Sequence, residues 1–168
     1  MKQVLFLMIA LAPVCLRAQT DKAALLASIN KDIWQPFLDG VNQDKPALYN
    51  SVNSKEFNWV RGGNGKTRIM NEEEYREDAR IIMEDRKKKG IQTELEVRFL
   101  ERNLNDNFAA EKCVIKFTSR QAGKVPEVAY AMVQVFSRKE NGVWKKLVQY
   151  VLPDPVAATV FESAAAME

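Results

Sequence analysis

The chain has no histidine and only two cysteines, Cys15 and Cys113. Without imidazole there is no Ser-His-Asp triad, no imidazole acid or base and no His-ligated metal. Two thiols are too few for a thiolate cluster, so no metal site is expected. Glycine is sparse, with 7 residues in 168. The one glycine-rich stretch, Arg61-Gly62-Gly63-Asn64-Gly65, lacks the spacing and the Lys-Ser/Thr pair of a phosphate loop. No nucleotide cofactor is expected. Charge of one sign is also scarce, because 25 bases face 22 acids for a net of +3.

One apolar run stands out, Val4–Leu16, preceded by Lys2. It has the length of a secretory h-region and is too short to cross a bilayer core of about 30 Å. Ala18 suits a cleavage position, so residues 1–18 are expected to be a signal peptide and the protein to be exported, periplasmic or secreted. Removal would take Lys2 and Arg17 and no acid, leaving 23 bases against 22 acids. Such a balance gives no electrostatic case for nucleic acid, and no membrane span is expected after removal. Cys113 would remain without an intramolecular partner, so the mature protein must fold by its core. Cys113 alternates with apolar residues and reads as a small buried side chain.

From Gln19 to Asn42, Leu25, Ile29, Ile33 and Phe37 recur at helical spacing, with Pro36 expected to bend or break the helix. Lys45–Tyr49 reads as a short helix with proline in its first turn. Phe57–Val60 reads as a short strand ahead of the glycine turn. Asn71 to Lys89 is the clearest helix: Asn71 and Glu74 make a capping box, glutamates occupy its start, and Lys87, Lys88 and Lys89 its end. The lysine run therefore has a structural explanation. After Gly90 the period changes to two. Leu95, Val97 and Phe99 alternate with Glu94, Glu96 and Arg98, and Cys113, Ile115 and Phe117 alternate with Lys112, Val114 and Lys116. Val128–Phe136 is apolar on both faces, as in a strand covered twice. Lys139–Gly142 is a hairpin turn into Val143–Leu152. Residues 153–168 read as a tail with a marginal helix around Val156–Ala166.

Helix, short helix, strand, helix and four long antiparallel strands predict an α+β fold with helices packed on a strongly curved sheet. That order resembles the nuclear-transport-factor-2-like superfamily, in its SnoaL-like or DUF4440-like branch. The resemblance is carried by Lys45–Val52, the segment Glu56–Gly65, the helix opening Asn71-Glu72-Glu73-Glu74-Tyr75, and the last two strands. It covers residues 22–152 and sets a domain over 19–152. It implies a cystatin-like conical barrel with an apolar pocket, often a homodimer through the outer face of the long strands. Its enzymes include isomerases, dehydratases and cyclases; other members only bind ligands or proteins. Members that use a pocket His–Asp pair offer no precedent for a chain without histidine.

Trp34, Phe37, Phe57, Trp59, Phe99 and Tyr130 are candidates to line such a pocket, although a core needs the same residues. Gln134 and Gln149 are polar groups inside apolar strands and need partners if buried. Asn58 and Arg61 flank the glycine turn at the expected rim, where an arginine could hold a carboxylate. Tyr49, Tyr75, Tyr130 and Tyr150 are possible hydroxyl donors. Glu111 is the exception among the acids: it shares parity with apolar residues, so it is expected either to point inward as a base candidate or to form a strand-end salt bridge; Glu94, Glu96, Asp78 and Asp85 fall on faces that look solvated. Three functions are compatible with these residues. The first is non-catalytic binding of a small apolar ligand. The second is an isomerase or hydro-lyase using Glu111 with tyrosines such as Tyr130. The third is a structural dimerisation platform.

Overall fold

The first helix, α1, runs over 22–42, and a computed structural model describes residues 22–63 and 65–167. The expected signal peptide and Cys15 lie outside the described residues. Within α1, Asn30–Trp34 widens to a π-helical turn, in which the Gln35 N–H reaches back to the Asn30 carbonyl. An α-helical segment, Gln35–Asn42, continues directly from it with Pro36 in its first turn. Pro36 therefore does not break the helix. The wider turn ahead of it relieves the clash and the missing N–H that a proline brings to a regular helix.

The apolar stripe of α1, Ile29, Ile33, Trp34, Phe37 and Val41, is buried along the core. Its two ends are fastened by side chains. Near the start, Asp32 accepts the Trp144 backbone N–H at 3.1 Å and Ser28 accepts the Trp144 indole N–H at 2.9 Å. At the end, the Asn42 amide accepts from the Leu95 N–H at 2.7 Å and donates to the Leu95 carbonyl at 3.2 Å. One side chain thus replaces a missing ladder partner on the facing strand.

Helix α2, Pro46–Ser51, packs against the end of α1. The chain comes so close there that a Cβ on Gly40 would lie 2.4 Å from the Tyr49 nitrogen. Strands β1 (Asn53–Gly63) and β2 (Lys66–Asn71) form a hairpin. β1 is much longer than the sequence pattern indicated and β2 was not foreseen, because Lys66–Asn71 exposes most of its side chains. Helix α3, Glu72–Lys88, carries the expected capping box. Tyr75, Ala79 and Met83 form its buried stripe, while Ile82 stays 42% exposed.

Four long strands follow: β3 (Ile91–Leu104), β4 (Phe108–Gln121), β5 (Glu127–Glu140) and β6 (Val143–Val151). They pair antiparallel in succession, and β6 returns to pair with β1 in parallel. Asn141 and Gly142 both take positive φ between β5 and β6, the conformation a tight hairpin of this twist demands. The full sheet order is β2-β1-β6-β5-β4-β3-β7, where β7 is the short edge strand Ala165–Ala166. Its curve around α1 makes the α+β cone.

Two strands change parity part-way. In β3, Leu100 has no partner between Phe99↔Cys113 and Glu101↔Lys112. Leu95, Val97 and Phe99 face the core before this bulge and Arg102 turns inward after it. In β6, Leu147 is the extra residue between the partners of Ser137 and Phe136. Trp144 and Lys146 are buried before it and Gln149 after it.

The tail does not hang free. Helix α4, Ala158–Ser163, seats Phe161 against Tyr130 on the outer face of the sheet, and Arg98 lies over its ring at 4.7 Å. The short strand β7, Ala165–Ala166, then pairs with Arg98 and Phe99 at the edge of β3. The helix is shorter than the sequence suggested. It also explains part of the second apolar face of Val128–Phe136, which the chain covers with its own end.

Gly40→Ala is expected to destabilise the protein by about 3 kcal/mol, because its methyl meets backbone rather than a movable side chain. Urea unfolding of the two proteins measures this; an unchanged midpoint would show that α1 and α2 separate freely.

Candidate functional site

The cone closes at one end and opens at the other. At the closed end, the Trp34 indole N–H donates to Glu111 Oε2 at 3.0 Å, and Arg102 Nε donates to Glu111 Oε1 at 2.7 Å. Arg102 Nη2 also donates to the Asn30 side chain at 2.7 Å, and its guanidinium stacks on Phe99 at 3.9 Å. Burial raises the Glu111 carboxyl above its ordinary range, opposed by Arg102 and the Trp34 N–H. Glu111 points inward, yet both its oxygens are committed to structure. A base must reach the proton it abstracts, and Glu111 does not border the cavity.

The cavity lies toward the open end and holds about 380 Å³. That is within the usual range for small-molecule sites. Its walls are mostly apolar, with Met70, Ala79, Met83, Leu95, Ile115 and Val133 prominent. One end is aromatic. Phe37 stacks on Tyr49 at 4.9 Å, Tyr49 on Tyr75 at 5.8 Å, and Trp59 lies 6.2 Å from Tyr75.

The tyrosines reach this place through local structure. Tyr49 sits on α2, held against α1 by the close approach at Gly40. Tyr75 occupies the first turn of α3, whose start the capping box fixes. Their hydroxyls hydrogen-bond to each other. Burial pushes the Tyr49 hydroxyl up to about 12 and raises that of Tyr75 well above the ordinary tyrosine range, so both are neutral donors at neutral pH. The Gln149 side chain opposes that rise at Tyr75.

Behind Gln149 stands Lys146, only 1% exposed. Its ammonium nitrogen donates to Gln149 Oε1 at 2.9 Å. Phe37 lies 4.2 Å beneath it, Phe57 5.4 Å and Tyr49 5.9 Å. Among the described residues it has no carboxylate partner. Burial lowers its pKa to about 7. The Cys113 thiol nearby is pushed far up by burial and is no nucleophile.

The expected pocket residues divide between wall and core. Phe37, Trp59, Tyr130 and Gln149 border the cavity, as does Arg61. Trp34, Phe57 and Phe99 are buried but do not line it; they pack behind the wall and at the closed end. Tyr130 borders the cavity at its strand, but its ring turns outward onto Phe161. It is therefore not the inward hydroxyl donor that the sequence suggested. Gln134 has the opposite parity from the buried Val133 and Val135 and lies on the outer face. Asn58 is exposed and bonds the Glu56 carbonyl.

Sequence reasoning missed Lys146 and misplaced Asp78. Lys146 shares strand parity with Trp144, which was the available signal. Asp78 lies one helical turn after Tyr75 and borders the cavity, where Arg68 holds it at 2.7 Å. No group of His, Cys, Asp and Glu side chains among the described residues could hold a metal ion.

No known protein family and no curated protein matches the chain in sequence. Solved structures match in shape. Aln2 from a Streptomyces species superposes with a TM-score of 0.65 at 13% identity, covering 78% of this chain and 91% of that one. A scytalone-dehydratase-like protein from Novosphingobium aromaticivorans gives 0.64 at 10% identity, over 79% and 86%. The chain has the nuclear-transport-factor-2-like fold. LinA superposes with a TM-score of 0.63 at 16% identity, over 83% of this chain and 95% of LinA. Identities this low carry the fold and no activity.

Two variants separate structure from site. Glu111→Ala leaves the Arg102 guanidinium buried without its partner and is expected to cost about 3–5 kcal/mol in urea unfolding. Lys146→Met is expected to do the reverse. The folded Lys146 releases its proton near pH 7, whereas an unfolded lysine keeps its proton to about 10.4. The unfolded state therefore binds more protons between these values, and this penalty is full below about pH 7 and fades as pH rises toward 10. The methionine variant should be the more stable protein at about pH 6, with the difference shrinking by about pH 9. A difference independent of pH would mean that Lys146 titrates normally.

Proposed function

We propose that the protein binds a small, mostly apolar molecule in the cone, with its polar end at the Tyr49–Tyr75 pair, and does so without catalysing a reaction. The observation that carries this reading is an apolar cavity that ends in two coupled neutral hydroxyls and, among the described residues, contains no free acid or base. Asp78 is the one carboxylate at its border among the described residues, and it sits at the mouth in an ion pair with Arg68. Glu111, the acid an isomerase or hydro-lyase mechanism would have used, is bound to Arg102 and Trp34 away from the cavity. A cone filled by its own side chains would have favoured a purely structural platform; this one has room for a ligand.

The reading includes export, from the apolar run Val4–Leu16, and a homodimer through the outer face of β5 and β6. Next to that face, beyond the part that α4 covers, Phe136 of β5 lies 6.3 Å from the 41% exposed Phe108 of the neighbouring β4.

Native mass spectrometry of the protein purified from its host's envelope tests the whole reading. A mature chain starting at Gln19, in dimers that carry a discrete added mass, is the expected result. Ala79→Phe fills the wall of the cavity from α3 and should abolish that mass while the protein stays folded. Wild-type and variant with the same mass would mean that nothing occupies the cone.

A further inference from the structure

The charge around the cavity is one-sided. Arg61 and Arg86 border it, against the single carboxylate of Asp78, which already has Arg68. Lys146 stands one layer behind the aromatic end with no acid beside it. Leaving a buried cation unpaired is costly unless something supplies the missing charge. Arg102, a mostly buried cation, has Glu111; among the described residues Lys146 has only an amide oxygen and three ring faces, which compensate in part.

Hydrogen-bond counting points the same way. Two tyrosine hydroxyls carry two protons, and their mutual bond uses one. The other is left as a donor at the cavity's aromatic end. Gln149 joins the lysine to the wall: its carbonyl oxygen accepts from Lys146, and its side chain borders the cavity that Tyr75 also lines. Positive charge thus stands behind the wall at Gln149, and the tyrosine pair presents a free O–H in front of it.

We infer that the cone selects a planar aromatic anion of the phenolate or enolate type, whose oxygen takes the free tyrosine proton as a hydrogen bond and whose charge Lys146 balances through the wall. The inference rests on the ligand-binding reading above and adds to it the charge of the ligand. Planarity follows from the stacked Phe37, Tyr49 and Tyr75 rings that form this end of the cavity. The carbon frame of the ligand lies against Ala79, Met83 and Ile115. Binding is then linked to protonation. Of the groups packed around Lys146, Cys113 from β4, Tyr49 from α2 and Tyr75 from α3 are neutral at physiological pH, and Phe37 and Phe57 bear no charge. Glu111, beyond Cys113, is taken by Arg102. The bound anion is the one negative charge Lys146 would face, so its arrival makes the amine take up a proton from solvent.

The test uses 4-nitrophenol, whose anion is coloured and whose neutral form is not, and its uncharged methyl ether, 4-nitroanisole. At about pH 8 the wild-type should bind the phenolate at least about tenfold more tightly than the ether, with the anion's colour retained in the complex. In Lys146→Met that ratio should fall to near one. Calorimetry of the wild-type in two buffers of different ionisation enthalpy should show uptake of up to about one proton per phenolate bound. This measurement does not depend on how well the variant folds. Equal affinity for phenolate and ether, loss of colour on binding, or no proton uptake would each overturn the inference and leave the ligand-binding reading standing. Binding of neither probe would overturn both.

Discussion

The structure turns on the indole of Trp34. Its N–H is the link by which a helix is tied to a sheet whose strands lie far off in sequence. Glu111 receives it, Arg102 completes the carboxylate, and Arg102 in turn covers Phe99, which meets the Trp34 ring edge-on at 5.1 Å. Helix α1 and strands β3 and β4 are thereby closed into a loop of contacts with no polar atom of Glu111 left over. Buried ion pairs seldom add net stability against apolar packing, but they punish any other arrangement. Here the pair fixes how α1 lies in the curve of the sheet. With that end sealed, the cone can stay open at the other.

Along the cone the chemistry changes in layers. A neutralised ion pair occupies the closed end, Cys113 and Lys146 follow, and the tyrosines with their apolar chamber come last. Each layer is less fully compensated than the one before it. Glu111 has two donors, Lys146 has one acceptor and aromatic faces, and the tyrosine pair keeps a donor in hand. Polar groups that are not fully satisfied by their own chain are where a fold is available for recognition. The stable part and the receptive part share one helix, so loosening the first would disturb the second.

Much of the fold was legible because local signals agreed with one another. Asn71 and Glu74 cap α3, its charges follow the helix dipole, and the period of two after Gly90 marks the four strands. Asn141-Gly142 announces its hairpin. The errors have physical causes. Pro36 reads as a breaker by its own chemistry, and only the π-helical turn ahead of it, a feature without a sequence signature, makes it harmless. β2 is a mostly exposed edge strand and shows little alternation. The cavity was harder to read than the fold. Parity counting placed Glu111 inside correctly, but it cannot say which depth of the cone a residue reaches. It had no purchase on Tyr130, which lies in a strand apolar on both faces and whose ring is claimed on the outside by Phe161 from the tail. Lys146 was hidden by the habit of reading lysine as solvated.

The bulges at Leu100 and Leu147 divide β3 and β6 into segments keyed to opposite faces. Arg102 and Gln149 owe their inward direction to one unpaired residue each. Substitutions along these strands therefore act singly, at the position changed. Losing or gaining one residue acts on everything beyond it: without Leu147, Gln149 would turn to the outer face and Lys146 would lose the amide oxygen that accepts its hydrogen bond. For this protein the spacing between residues is as much a part of the recognition chemistry as the residues themselves, and drift in length should be far less tolerated in these two strands than in the turns that join them.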